Sequence, residues 1–299
     1  MVEPEGPSGP RGQGLPVSSW ELAKMSFGVL RERPRLLVFP LVTALAAVGA
    51  LLLLVGAAFE LFSQPGAFAN FSSLLGVVIA LGVVAFVVLS VVAALMTGAL
   101  MGATHAYLNG GTGSVGEGWR LARGRWRALV KWGLVSATVG LAIAAVSNLL
   151  FARAWLVGLI FNIAAEVGWA VTTYFIVPVV MFEPWPAIGT SLVRSTRLFV
   201  TTFGKTVISN LWATLLLLPG LVVAIVLGVV ALLEFAHGAL LAAIVLGVSA
   251  VVLGAFVVLV ADAIDSILTT VLYRYATTGR VARAPPPSIV RVGGPFDRV

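Results

Sequence analysis

Cysteine is absent from the 299 residues, which excludes disulfides, thiol catalysis and thiolate metal sites. Histidine is almost absent. His105 and His237 have no second imidazole or carboxylate at ligand spacing, so each reads as a structural or surface residue and not as a metal ligand. Charge is scarce as well: Asp, Glu, Lys and Arg make up 10% of the chain, against roughly 25% in soluble domains. Hydrophobic residues make up 60%, and mean hydropathy is +1.06. This is the balance of an integral membrane protein. The stretches between apolar runs are too short for a soluble catalytic domain. No cofactor, no metal centre and no nucleophile with a nearby base is legible, so an enzyme is not expected.

The first 17 residues carry Glu3 and Glu5 where a signal peptide needs positive charge, and they contain no apolar core. Their Pro and Gly content, like that of residues 281–299, predicts disordered tails around one membrane domain over 18–280. Within that domain six apolar runs reach the roughly 20 residues needed to cross about 30 Å of hydrocarbon. They are Leu36 to Phe62, Leu74 to Tyr107, Trp132 to Phe151, Trp155 to Phe182, Thr206 to Leu232 and Ala239 to Tyr275. The second and sixth exceed a straight crossing, so they should tilt, break or project from the bilayer. The expected class is all-α, a polytopic bundle of transmembrane helices.

Of the 19 Lys and Arg residues, only Arg153 falls between spans on the side opposite the others. The positive-inside rule then predicts a multi-pass protein of the cell membrane with both termini cytoplasmic. Topology alone accounts for a net charge of +7 and a pI near 10.5, and nucleic acid is not an expected partner.

The basic connections read as helices lying in the interface. WRLARGRWRALVKW places Arg120, Arg123, Arg127 and Lys131 on one stripe, with Trp119, Ala122, Trp126 and Leu129 on another. Arg194, Arg197, Thr201 and Lys205 repeat the spacing opposite Ile188, Leu192, Phe199 and Phe203. SSWELAKMSFGVLRERPR resembles both. Ser18 with Glu21 and Ser114 with Glu117 supply capping patterns. The expectation is three cytoplasmic-side interfacial amphipathic helices, each followed by two spans, in a threefold helix-span-span repeat over about 18–111, 112–182 and 183–280. Tyr107 with Gly111 and Tyr275 with Gly279 close the first and third copies at one spacing. The seven basic residues from Arg120 to Lys205 named above are the candidate contacts to anionic lipid headgroups, with topological anchoring as the plainer role.

The stretches SWELAKMSFGVLRERPRLLVFPLV, VPVVMFEPWPAIGTSLVRS and LYRYATTG resemble those of a family of six-span bacterial and archaeal membrane proteins known only as a domain of unknown function. The likeness covers about residues 18–280 and implies no activity. More distantly, the helix-span-span pattern is similar to the membrane-anchor region of some glycerophosphodiester phosphodiesterases, whose catalytic domain is missing here.

Other motifs have plain readings. GTGSVG at 111–116 fits G-x-G-x-x-G but follows a membrane helix and not a strand, which makes it a flexible turn. Gly204, Lys205 and Thr206 end like a P-loop, but Phe199 stands where the first Gly is required. Gly98 and Gly102 form G-x-x-x-G, which serves either packing within one chain or dimerisation.

The polar residues inside the spans are the candidate site. Asn162, Glu166, Trp169 and Thr173 share one face of the fourth span; Asp262, Asp265, Thr269 and Tyr273 share one face of the sixth. A carboxylate at mid-bilayer costs roughly 2.5 to 3.5 kcal/mol on insertion scales, so both faces are expected to turn toward protein or water. Ser147, Asn148, Ser209 and Asn210 are placed to offer hydrogen bonds, and Arg194 or Arg197 to offer a charge to the Asp pair. Two functions fit. The preferred one is a non-enzymatic membrane scaffold or assembly partner in contact with anionic lipid, joined by a protein partner or a second copy. The alternative is a small transporter or channel using Glu166, Asp262 and Asp265.

Overall fold

In a computed structural model, the described residues are 19–64, 71–184, 187–203 and 218–278, and all regular structure among them is helical. The chain runs α1 (Ser19–Glu32), a 3-10 turn (Pro34–Leu37), α2 (Val38–Ser63), α3 (Phe71–Leu108), α4 (Val115–Gly124), α5 (Trp126–Arg153), α6 (Trp155–Thr173), α7 (Ile176–Phe182), α8 (Ile188–Phe203), α9 (Leu218–Ala236) and α10 (Leu240–Thr278). Six segments are long and apolar enough to span a membrane: Pro34–Ser63, Phe71–Leu108, Trp126–Arg153, Trp155–Phe182, Leu218–Ala236 and Leu240–Thr278. The expected spans are therefore present. The start of the fifth, both tails, Ser18, Lys205, Ser209 and Asn210 lie outside the described residues.

Exposure divides the molecule into two layers. In the stretches 41–63, 71–93, 134–153, 155–173, 218–236 and 240–258 the side chains are half-buried or exposed, apart from Val257 and a few small residues at helix contacts. Each stretch is about 19 to 23 residues, or about 28 to 35 Å of helix, which matches the hydrocarbon thickness. An apolar surface of that height is stable only against lipid.

The remaining turns form a packed base. Phe39 at the start of α2, Ala94 to Leu108 at the end of α3, Leu129 and Trp132 at the start of α5, Phe175 to Met181 in and before α7, and Val260 to Tyr273 in α10 form one core with Val29 and Leu30 of α1, Ala122 of α4 and Leu198 of α8. Antiparallel neighbours bring these ends to one side. α3 and α10, at 38 and 39 residues, run unbroken, so the excess length projects into the base instead of breaking or being absorbed by tilt alone.

Close backbone approach sets the helix contacts. A Cβ on Gly118 of α4 would lie 2.3 Å from the Ala99 carbonyl of α3, and one on Gly133 of α5 would lie 2.7 Å from Val91 Cα. Gly98 and Gly102 meet Leu129, Leu121 and Met181, so the G-x-x-x-G face packs within the chain.

Two local breaks differ from the sequence reading. The basic segment 119–132 is not one helix: α4 ends at Gly124, Arg125 adopts φ −118°, ψ 14°, and α5 starts at Trp126. Arg120 and Arg123 therefore sit on one helix, and Arg127 and Lys131 on the next. The fourth span breaks at Tyr174 and Phe175. Pro178 explains this second break, because it has no N–H for the Tyr174 carbonyl and its ring crowds that group.

Candidate functional site

The polar groups of the base converge where α3, α7, α8 and α10 meet. Glu183 follows α7, and both its carboxylate oxygens accept from Arg194 Nε of α8 at 3.2 Å. Tyr273 Oη, on α10, donates to Glu183 Oε1 at 3.0 Å. The Tyr273 ring lies 6.0 Å from Phe182, which stacks at 4.1 Å on His105 of α3. Tyr273 also stands 6.3 Å from Phe175, whose freed backbone N–H at the helix break donates to the buried Ser195 Oγ of α8 at 3.0 Å. The break is thus satisfied by a side chain, as a buried N–H requires.

A second, similar arrangement lies alongside. Tyr107, near the end of α3, donates to Glu32 Oε2 at the end of α1, and the Arg33 guanidinium sits 5.7 Å above the Tyr107 ring. Arg274 Nη1 of α10 donates to the Leu108 carbonyl, one of the acceptors left free at the C-terminus of α3. Each network joins a Tyr on a long span to a Glu at the edge of a short helix. Their donors and acceptors pair with one another, so the arrangement fastens the base together.

The loop before α4 is built the same way. Ser114 Oγ accepts from Glu117 N–H at 3.2 Å, and Glu117 Oε2 accepts from Gly113 N–H and Thr112 Oγ1. The predicted cap is present, with the return bond shifted to the two residues before the cap. Gly113 has φ +58° and packs against the Tyr107 side chain, so GTGSVG is a turn that needs this glycine.

The residues singled out from sequence do not form one site. Asn162 accepts from Ser147 Oγ at 2.9 Å across the α5–α6 hairpin, as expected of Ser147; Asn148 bonds to the Ala144 carbonyl of its own helix. Trp169 stacks on Trp132 at 5.8 Å, and Thr173 bonds back to the Trp169 carbonyl. Glu166, between them, is exposed.

On α10, Thr269 and Tyr273 are buried, but Asp262 and Asp265 are exposed, contrary to the expectation that the Asp pair turns inward. At 100° per residue the stripe Val257, Val260, Ile264, Ile267 takes the core-facing side, which leaves Asp262 and Asp265 on the opposite one. Only from Ser266 to Tyr273 is the helix enclosed all round. Neither aspartate pairs with Arg194, which is committed to Glu183.

Arg120, Arg123, Arg127, Lys131 and Arg197 are exposed at the base, and Arg194 is half-buried there. His237 is exposed at the far turn between α9 and α10. Among the described residues no group of three or more His, Cys, Asp or Glu could hold a metal ion. Glu183 and Glu32 escaped sequence reasoning because each joins a Tyr on a distant helix and neither sits on a polar stripe. The available signal for Glu183 was a Glu directly after an apolar span end, in VVMFEP, and for Glu32 a Glu between two arginines just ahead of a span, in LRERP.

The chain belongs to a family of unknown function (DUF6159), which matches residues 73–283. That region holds the Glu183 network, Glu166 and the Asp pair, and leaves out α1 and α2. The resemblance to a domain of unknown function read over 18–280 is thus supported from residue 73 onward, while its first stretch lies outside the match and its bacterial and archaeal source gains no support. No curated protein and no solved structure matches the chain, and the likeness to phosphodiesterase anchor regions gains no support.

Proposed function

We propose that this protein is a non-enzymatic membrane scaffold or assembly partner, set in the cell membrane with its base in the cytoplasm. Orientation is inferred from Arg31, Arg33, Arg35, Arg120, Arg123, Arg125, Arg127, Lys131, Arg194, Arg197 and Arg274, all at the base end of their helices, against Arg153 at the far turn. α1, α4 and α8 then lie at the cytoplasmic interface, each ahead of a pair of spans, and meet anionic headgroups. The paired Glu32–Tyr107 and Glu183–Tyr273 contacts favour reading the first and last of these units as copies of one repeat.

One observation carries the choice between scaffold and transporter. Glu166, Asp262 and Asp265 stand exposed on the surfaces of two helices, α6 and α10, which favours a surface role over an interior path. Carboxylates in or beside lipid call for a neighbour, and a second protein chain supplies one without any reaction or flux.

The test has two arms. A photo-crosslinking residue in place of Asp265 should give an adduct of higher mass in native membranes, while one at the buried Ile267 should not. Purified protein in proteoliposomes should pass no protons or monovalent cations. Wild-type flux that disappears in Asp262→Asn, Asp265→Asn or Glu166→Gln would overturn the scaffold reading in favour of transport.

A further inference from the structure

The break between α4 and α5 opens a cleft of about 360 Å³ lined by Arg123, Gly124, Arg125, Trp126, Arg127 and Ala128. Three arginines line it within five residues, and among the described residues none of the three is in an ion pair with a carboxylate. The acidic residue of α4, Glu117, is already engaged by Thr112 and Gly113, with Arg120 at 3.9 Å. Arg127 lies 5.6 Å from the Trp126 ring centroid, a cation–π contact that does not use up its N–H donors.

Position in the fold matters as much as charge. Trp126 opens a membrane span, and the lipid-facing stretch of that span begins about two turns later at Leu134, which is 45% exposed. Trp119 and Trp126 are 43% and 49% exposed, as indoles are at the headgroup level. An anion seated among the three arginines would therefore have an apolar helix surface running from it into the bilayer.

The geometry points to a binding site for the phosphate group of one anionic phospholipid at the α4–α5 junction, with the acyl chains lying along α5. Guanidinium groups suit this ligand because their N–H forks match phosphate oxygens in pairs, where an ammonium offers only a point charge. A small cleft with a few convergent polar groups suits one headgroup. A free phosphate shares the polar chemistry but leaves the exposed start of α5 and the two indoles without a role. A second cleft, of about 340 Å³ beside Gly189, Thr190, Val193, Arg194 and Arg197, makes a contrast, because Arg194 is already paired with Glu183.

This inference rests on the anionic-lipid part of the proposed function and narrows it to one place. The full chain in neutral detergent is titrated with dioctanoyl phosphatidylglycerol, dioctanoyl phosphatidylcholine or inorganic phosphate while apparent Tm is followed. Phosphatidylglycerol should raise Tm by about 2 to 4 °C, and the other two should not. The rise should vanish in Arg123→Gln/Arg125→Gln/Arg127→Gln and persist in Arg197→Gln. If the triple variant does not purify as a single species, Arg125→Gln alone serves, with more than half of the rise expected to be lost. A full rise in the variant would overturn the site and leave the broader anionic-lipid reading standing. No rise in the wild type would overturn both. An equal rise with inorganic phosphate would overturn the lipid assignment.

Discussion

Tyr273 and Glu183 are 90 residues apart in the chain and 3.0 Å apart in the base, where the phenol hydroxyl donates to a carboxylate already held by Arg194. A hydrogen bond to a charged acceptor contributes roughly 1.5 to 3 kcal/mol. Tyr273→Phe should cost about that amount, read as a lower melting temperature in detergent. Arg194→Gln should cost less, because the two side chains of its ion pair are 37% and 14% exposed and solvent screens the attraction. A double-mutant cycle of Tyr273→Phe with Glu183→Gln should show strong coupling. Additive losses would mean that the two residues act separately.

Among the described glycines, Gly118 has the least room for a side chain. An added methyl would meet the Ala99 carbonyl at 2.3 Å and Ala103 Cβ at 2.7 Å, both on α3. Gly118→Ala should destabilise by about 1 to 3 kcal/mol or abolish folded yield. Gly116→Ala, two residues earlier in α4 with nothing within 4 Å, should be neutral or stabilise by up to about 1 kcal/mol. Equal behaviour of the two variants in thermal unfolding would contradict this packing of α4.

Glu166 sits midway along the exposed stretch of α6, with no ion pair among the described residues. Glu166→Leu should hold or raise the folded yield of the isolated chain, since a carboxylate facing lipid is costly. A clear fall in yield would instead reveal an acceptor needed inside the bundle.

The lack of cysteine makes the native chain a clean background for labelling. Single-cysteine variants His237→Cys and Ala154→Cys, at far turns, should react with an impermeant maleimide added to intact cells. Asn109→Cys, exposed beyond α3 at the base, should react only after permeabilisation. The reverse pattern would invert the proposed orientation.

By itself the sequence determined the all-helical class and the number of apolar helices long enough to span a membrane. Those properties follow from local quantities: apolar composition, and run length against bilayer thickness. It also announced the Ser114 cap, since capping is a contact over three residues. It left the use of Gly98 and Gly102 open, and their partner Leu129 is visible only once α5 is folded beside α3.

Tertiary structure decided which polar residues meet. Asp262, Asp265, Thr269 and Tyr273 share a stripe by spacing, yet α10 is enclosed on all sides only from Ser266 to Tyr273, so one stripe is exposed above and buried below. Helical periodicity places residues on a face; it does not say where along the helix neighbours begin to surround it. The same holds for Arg194, which meets Glu183 only because α7 and α8 pack together beside the break at Tyr174 and Phe175. Local pattern put this chain in the bilayer, and the assembly of the base selected the carboxylate that holds it together.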